Sequence, residues 1–364
     1  MKALLASIFA GLLCNVQCGP LMVQISTKSE LMLGDEVNCE VTITNNHDKD
    51  YYLLLRNTPL QGLRSHMFSV STSGKEIPYD SILVKQCIPK VLSKEHFALI
   101  KAKSSLVSSV DLSEAYSFSS AGAYTVQLRT RFELFADNPN NISVQHVASN
   151  HEEFWLHESE NQPKLTMGQL VRTRTTAHSL ESPLRHEAAA INRARSLRFD
   201  GVTTRQREQE ATSAFNAAYA VMTPSYKAAT PNNALYQEWF GNINNRQKVR
   251  IIYSSMKKSM EKDQYTIYFN GPECTPDDCA YTYYRNNVIY TCTDWYKAPA
   301  VGFNSKMGTV VHEMTHILKD TEDYEYGRTA CRNLAQTNPN KAVNNADNYA
   351  YFSECLKIAT FELV

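Results

Sequence analysis

His312 and His316 are the side chains of this sequence best suited to hold a metal ion, because they stand four residues apart. On a helix, residues at this spacing lie on one face about a turn from each other, so both imidazoles can bind one Zn²⁺. Glu313 follows the first histidine and places a carboxylate beside the same ion. The metal would lower the pKa of its water to about 7, and Glu313 would take that proton and later deliver it to a departing amine. The pattern predicts zinc-dependent hydrolysis of peptide bonds.

The helix that must position these histidines is visible in the same stretch. Apolar residues recur three and four apart, as on a helix with one buried face: Met307, Val310, Val311, Met314, Ile317 and Leu318. A chance His-Glu-x-x-His in a chain of this composition has a probability on the order of one in a hundred. If the match does arise by chance, the stretch is an amphipathic helix with two surface histidines. The acidic residues and the tyrosine that follow favour the metal site.

The third metal ligand has to come from outside this helix. One possibility is a glutamate on a later helix, as in a gluzincin-type protease, and Glu354 is the nearest suitable residue. The other possibility is an acid shortly after His316, where the chain offers Asp320, Glu322, Asp323 and Glu325. The residues themselves leave both possibilities open.

Three stretches of the chain, GTVVHEMTH, TEDYEYG and NPNKAVNNADNYAYF, resemble the deuterolysin and peptidyl-Lys metalloendopeptidase family, the aspzincins. That family has His-Glu-x-x-His followed by Thr-x-Asp-x-x-Tyr-Gly, and Thr321, Asp323, Tyr326 and Gly327 match the second pattern. The resemblance implies one Zn²⁺ per chain, Asp323 as third ligand and Tyr326 as the hydroxyl that stabilises the oxyanion. It leaves three neighbouring acids as solvent-facing residues: Asp320, Glu322 and Glu325.

The resemblance also implies where a substrate side chain binds. In the lysine-selective branch of the family, an Asp and a Glu three residues later contact the residue after the scissile bond. Here those positions hold Asp347 and Ala350. We expect Asp347 to attract a Lys ammonium, with weaker discrimination against neutral residues because the second acid is absent. The alternative for Asp347 is an acid that complements the dipole at a helix N-terminus.

The whole chain has the composition of a globular protein without a strong charge. It holds 37 basic and 37 acidic residues, and 43% of its residues are hydrophobic. This balance gives no general attraction to nucleic acid or to an anionic membrane. Residues 1–18 combine a lysine with a short apolar run, which is typical of a secretory signal peptide. We therefore expect a secreted, extracellular protein.

The remaining chain divides into parts with different patterns. Residues 19–160 contain short strand-like runs between turns and predict an antiparallel β-sandwich. Residues 161–198 are polar and basic and end in Arg195-Ser-Leu-Arg198, a pattern attractive to a processing protease; a helical linker is the alternative. Residues 199–364 show helical periodicity around a short β region and predict an α+β domain. By resemblance, that domain is the zincin-like catalytic domain, and the sandwich is a propeptide that inhibits it.

The cysteines suggest a disulfide-bonded protein, since secreted chains oxidise their thiols. We expect Cys39 to pair with Cys87 in the sandwich, and Cys279 with Cys292 in the β region. The same reasoning expects a bridge between two successive helices, from Cys331 to Cys355. Val202 replaces a cysteine usual in the family, which leaves the partner of Cys274 open.

Two further expectations concern modification and partners. Asn141-Ile-Ser is a glycosylation sequon. An enzyme of this kind would act on protein or peptide substrates and would itself be cut by a processing protease. The alternative from another class is a secreted binding or inhibitory protein built on the sandwich, with a degenerate protease half. The presence of Glu313 and Tyr326 argues against degeneracy.

Overall fold

A computed structural model describes residues 19–87, 92–137, 141–172, 197–242, 245–319 and 321–361. The predicted signal peptide, Arg195 and Asp320 lie outside these residues. Within the part described, no helix combines the length and the apolar character needed to cross a membrane.

The N-terminal part is built from short strands whose residues alternate between buried and exposed, as in β1, where Leu21, Val23 and Ile25 point inward. In chain order the strands are β1 (Leu21–Thr27), β2 (Glu30–Met32), β3 (Asn38–Asn45), β4 (Tyr51–Leu54), β5 (Phe68–Thr72), β6 (Lys75–Glu76), β7 (Ile82–Gln86), β8 (Phe97–Ile100), β9 (Ser105–Asp111), β10 (Gly122–Phe135), β11 (Ser143–Ala148) and β12 (Glu152–His157).

Two sheets of this part enclose one hydrophobic core. The smaller sheet has the order β1-β3-β9, and the larger has the order β2-β12-β10-β4-β8, with β5, β6 and β11 attached beside it. Pairing is antiparallel except between β2 and β12. Val41 of the smaller sheet and Phe132 of the larger belong to the same buried cluster. The β-rich N-terminal part predicted from the sequence is confirmed.

The C-terminal part combines helices with a second kind of sheet. Its elements are β13 (Arg198–Gly201), α1 (Arg205–Ala228), α2 (Ala234–Phe240), α3 (Arg246–Lys262), β14 (Thr266–Phe269), β15 (Asp278–Tyr283), β16 (Val288–Thr291), α4 (Thr293–Lys297), α5 (Lys306–Lys319), α6 (Arg328–Thr337), α7 (Pro339–Ala342) and α8 (Ala346–Phe361). The sheet has the order β13-β14-β16-β15-β7. Helix α5 packs against α8 and α1.

One strand of this sheet comes from the N-terminal part, which the sequence analysis did not predict. Strand β7 pairs antiparallel with β15, so residues 82–86 form the edge of the C-terminal sheet. All five residues of β7 are buried, including Lys85 and Gln86. The two parts therefore share this sheet.

A glycine separates α2 from α3. Helix α2 ends at Phe240, before Gly241, which has a φ of +74°. A Cβ atom at this position would lie 2.3 Å from the carbonyl oxygen of Ala335. Glycine permits both the left-handed backbone and the close approach of α6.

The predicted disulfides are wrong. The structure pairs Cys87 with Cys279, across the two parts of the chain, and Cys274 with Cys292. Three cysteines that the sequence analysis placed in disulfides are free thiols: Cys39, Cys331 and Cys355. For Cys39 and Cys87 the cause is the position of β7, which brings Cys87 to Cys279 in β15. The sequon residue Asn141 is exposed.

Candidate active site

Helix α5 carries its two histidines into the interior. His312, Glu313 and His316 are each 0% exposed, so the interpretation as two surface histidines is wrong. The Nε2 atoms of the two imidazoles lie 3.1 Å apart. The helical spacing predicted from the sequence therefore brings both nitrogens to one point.

A third donor reaches the same point from the loop after α5. Oxygens of Asp323 lie 3.2 Å from His312 Nε2 and 3.3 Å from His316 Nε2, yet neither oxygen makes a hydrogen bond of normal geometry. For tetrahedral Zn²⁺ with bonds near 2.1 Å, ligand atoms would be separated by about 3.4 Å. Two imidazoles and a carboxylate at these distances fit a zinc ion. Among the described residues, His312, His316 and Asp323 form a group that could hold a metal ion.

The far side of each imidazole is held by a hydrogen bond that fixes its orientation. His312 Nδ1 lies 2.8 Å from Asp347 Oδ1, and His316 Nδ1 lies 2.7 Å from the carbonyl oxygen of Thr321. Donation from Nδ1 leaves each Nε2 with a free lone pair directed at the third donor, as in protein zinc sites. Neither hydrogen-bond partner was predicted from the sequence. Asp347 was predicted only to bind a substrate side chain or to face a helix dipole.

The loop that carries Asp323 is anchored to the start of α8. Asn345 Oδ1 accepts from the Glu325 backbone at 3.0 Å, while its Nδ2 donates to the Glu325 carbonyl at 2.9 Å. The backbone of Glu322 pairs with residues on either side of Asn345. Gly327, with a φ of +83°, donates its N–H to Asp347 Oδ2 at 3.2 Å. These bonds hold a short carboxylate where it can reach the histidines.

Charges around this cluster favour a bound cation. Burial would raise the pKa of Asp323, but the two imidazoles outweigh it and hold this pKa well below its usual range. Burial lowers the pKa of His312, whereas Asp323 and Asp347 raise it by more. For Asp347 too, burial raises the pKa, and Lys85 and His312 outweigh that effect. Both carboxylates therefore stay ionised.

Glu313 and Tyr326, the predicted catalytic residues, lie beside the cluster. Both carboxylate oxygens of Glu313 are buried without a hydrogen-bond partner, and burial raises the pKa of this group. The Tyr326 ring lies over His312 with 6.3 Å between ring centroids. Its hydroxyl donates to the carbonyl oxygen of Val84, in β7, at 2.6 Å. A buried acid without a partner and a phenol on a peptide carbonyl are groups suited to proton transfer and to oxyanion binding.

Glu354, the alternative third ligand, serves a different purpose in this structure. Its Oε1 accepts from the backbone N–H of Ser305 at 2.9 Å and from the Ser305 hydroxyl at 2.8 Å. Ser305 precedes the first residue of α5, about 10 Å along the helix axis from His312 at 1.5 Å per residue. Burial raises the pKa of Glu354 to about 7. This glutamate anchors the start of the helix.

Two acids that the sequence analysis expected to face solvent contact the N-terminal part instead. Glu322 Oε1 lies 3.2 Å from His66 Nδ1, and Glu325 forms an ion pair with Arg131. A cleft of about 1110 Å³ lies between these elements, and Asp323 is among the residues that line it. The N-terminal part therefore covers the loop that completes the site.

The chain is similar to known metallopeptidases over nearly its whole length. A family model described as lysine-specific metallo-endopeptidase matches residues 225–354. The peptidyl-Lys metalloendopeptidase of Grifola frondosa is 30% identical over 327 residues, which cover 86% of each chain. The chain belongs to the aspzincin family of zinc metalloendopeptidases.

Two further similarities extend the comparison. An extracellular protease of Aeromonas hydrophila is 28% identical over 365 residues, which cover 97% of this chain and 98% of that protein. The solved structure of a zinc peptidase from Grifola frondosa is 32% identical and covers 42% of this chain and 96% of its own, with a TM-score of 0.39. Membership of the aspzincins supports an enzyme over a binding protein with a degenerate protease half.

Proposed function

We infer that this metalloendopeptidase is secreted as a zymogen and that, once processed, it cuts peptide bonds before a basic residue, preferably Lys. The observation that carries the inference is the meeting of two imidazole nitrogens and one carboxylate beside a buried, unpaired Glu313. In this proposal His312, His316 and Asp323 hold one Zn²⁺.

The chain's own residues supply the proton transfers of the proposed reaction. A bound zinc ion would act as a Lewis acid and make water a stronger nucleophile at neutral pH. Glu313 accepts the proton of the attacking water and passes it to the amine that leaves. Tyr326 donates a hydrogen bond to the carbonyl oxygen as negative charge develops there. Asp347 and Thr321 keep the two imidazoles in the orientation that binds metal.

Preference for a basic residue rests on Asp347. Its carboxylate contacts the ammonium of Lys85 in a buried ion pair, so a lysine side chain can reach it. Ala350, at the position of the family's second acid, is 2% exposed and adds no charge. One carboxylate favours Lys over neutral residues of similar length, though less strongly than two would.

Digestion of a peptide library by the processed enzyme tests this function. We expect cuts before Lys to be about tenfold more frequent than cuts before Met, equivalent to about 1.4 kcal/mol of differential binding. Cutting should stop on removal of metal by a chelator and return with Zn²⁺. Ala350→Glu restores the family's second acid and should increase the preference for Lys. Unchanged cutting in the chelator would contradict the metal mechanism, and equal cutting before Lys and Met would contradict the specificity.

We propose that activation takes two cleavages, first after the signal peptide and then in the basic segment. Residues 1–18 would be removed on secretion, and residues 19–160 would remain as the propeptide. A processing protease would then cut the basic segment 161–198 near Arg195 and Arg198, so that the catalytic domain, 199–364, begins a new polypeptide. Arg198 is exposed at the start of β13, which supports access by such a protease.

The Cys87–Cys279 disulfide makes a specific prediction about this activation. It joins residues 192 positions apart, one on each side of the proposed cut. After cleavage near Arg198, the two parts should migrate as one band on a denaturing gel without reductant and as two bands with it. Cys87→Ser should give two bands under both conditions, whereas Cys274→Ser, which removes the other disulfide, should keep one band without reductant. Two bands from the cleaved, unsubstituted chain without reductant would show that this disulfide does not join the two parts.

A further inference from the structure

The edge strand β7 passes through the candidate active site in the manner of a peptide substrate. It pairs antiparallel with β15, with Val84 opposite Tyr281 and Lys85 opposite Ala280. Addition of an extended peptide to an exposed sheet edge is a common way to bind a substrate or ligand chain. Here the added strand belongs to the same polypeptide.

Two groups of the site contact the two sides of one peptide bond in β7. The carbonyl oxygen of Val84 accepts the Tyr326 hydroxyl at 2.6 Å. The next side chain, Lys85, places its ammonium on Asp347 and 5.6 Å from the centre of the Tyr351 ring. Thus Tyr326, the proposed oxyanion donor, binds the carbonyl group of this peptide bond. Asp347, the proposed specificity residue, binds the side chain of the residue that follows it.

The ion pair between Lys85 and Asp347 is buried. Lys85 is 4% exposed and Asp347 is 0% exposed. Burial lowers the pKa of Lys85, but Asp347 outweighs it and raises this pKa, so the side chain is an ammonium. A buried charge of this kind is costly unless it is paired, which explains why a lysine lies in a strand with five buried residues. The Asp347 oxygen that accepts it also lies 2.8 Å from His312 Nδ1.

We propose that the Val84–Lys85 peptide bond occupies the scissile position, so that β7 blocks the active site as a bound substrate and is cut there by its own chain. This inference rests on the function proposed above. In the reaction, the oxygen of one water adds to the Val84 carbonyl carbon and the C–N bond breaks. One water proton goes through Glu313 to the Lys85 nitrogen, and the other passes from the new Val84 carboxyl group to the same nitrogen. The products are a carboxylate at Val84 and an ammonium at Lys85.

Both ends of the cut bond would stay in place. Leu83 is buried in the core of the N-terminal part, on one side of the bond. On the other side, Gln86 Nε2 donates to Asp278 Oδ1 at 3.0 Å, and Cys87 is joined to Cys279. Because the new ends remain side by side, the bond can form again and the cut chain remains blocked. Cutting should therefore be slow and partial.

Mass spectrometry of the denatured full-length chain after incubation with Zn²⁺ tests the proposal. We expect fragments that end at Val84 and begin at Lys85, formed at a rate that does not change on dilution because the reaction is intramolecular. Glu313→Gln should abolish them. Lys85→Met keeps the stem of the side chain and should reduce them about tenfold or more, because the pocket no longer pairs a charge. Lys75→Met, at an exposed lysine in β6, should leave them unchanged.

A second measurement needs no activity. In the Glu313→Gln chain, acetylation of Lys85 by an amine reagent should be about a hundredfold slower than that of Lys75, because reaction requires local opening of β7. Rapid acetylation of Lys85 would overturn the proposal.

A reporter peptide with a central Val-Lys bond, incubated with the processed enzyme and Zn²⁺, separates the two possible failures. If the processed enzyme cuts the reporter while Val84–Lys85 of the full-length chain stays intact, the present inference is wrong and the proposed function stands. If the processed enzyme does not cut the reporter, the proposed function is wrong and this inference falls with it.

Discussion

Replacing Glu313 with Gln will lower peptide hydrolysis by the processed enzyme about 10²–10⁴-fold, the range usual for loss of a general base. Gln has nearly the same shape but cannot accept the proton of the attacking water. Both Glu313 oxygens lack hydrogen-bond partners in the interior, so the change breaks no bond that holds the fold. Initial rates with a Lys-containing peptide measure the effect, and zinc content by atomic emission checks that metal stays bound.

Glu322→Gln provides the matched control. This glutamate is nine residues further along the chain and contacts His66 rather than the histidines of α5. Its replacement should leave the rate on the processed enzyme within about twofold, as for surface changes away from a site. Full activity of Glu313→Gln would remove this glutamate from the mechanism, whatever the metal content.

Replacing Asp323 with Ala will remove zinc from the protein. Loss of a residue that hydrogen-bonds to a metal ligand lowers metal affinity about 10–100-fold. Loss of a ligand itself should lower the affinity at least about 100-fold. The remaining imidazoles, His312 and His316, cannot hold the ion as tightly in a site built for three donors. Equilibrium dialysis against a competing chelator measures the affinity, and hydrolysis should fall with occupancy.

Glu354→Ala separates the two possible third ligands. Since Glu354 holds Ser305 at the start of α5, its removal should lower the midpoint of thermal unfolding while zinc remains bound. Zinc lost from the Glu354 variant and retained by the Asp323 variant would reverse our ligand assignment. Loss from both would point to an indirect effect through α5, which circular dichroism would reveal.

The fold was predictable where local pattern decides structure. The runs around β1, β3, β4, β8 and β10 are rich in β-branched and aromatic residues, and each forms a strand. The sequence pattern predicts a last helix from about Asn345 to Phe361, and α8 covers Ala346–Phe361. Strand β7 was not predicted, because its buried residues include Lys85 and Gln86, and a hydrophobic pattern does not indicate that such polar residues are buried. These polar groups are tolerated inside because distant residues pair with them.

The disulfides failed for a related reason. Pairing by proximity in sequence joined Cys39 to Cys87 and Cys279 to Cys292, whereas the structure joins Cys87 to Cys279. Connectivity depends on which β-carbons the fold brings close together, and spacing along the chain does not report that distance.

By itself, the sequence determined the chemistry of the site. His312, Glu313 and His316 lie within about one helical turn, and a helix has one geometry, so their spacing fixed a metal-binding face before any fold was known. Tertiary structure alone decided what surrounds that face. Asp347 lies behind one imidazole, and Lys85, 262 positions away, lies on the same carboxylate. Such contacts arise when separate elements pack, and no local period in the sequence records which elements will meet.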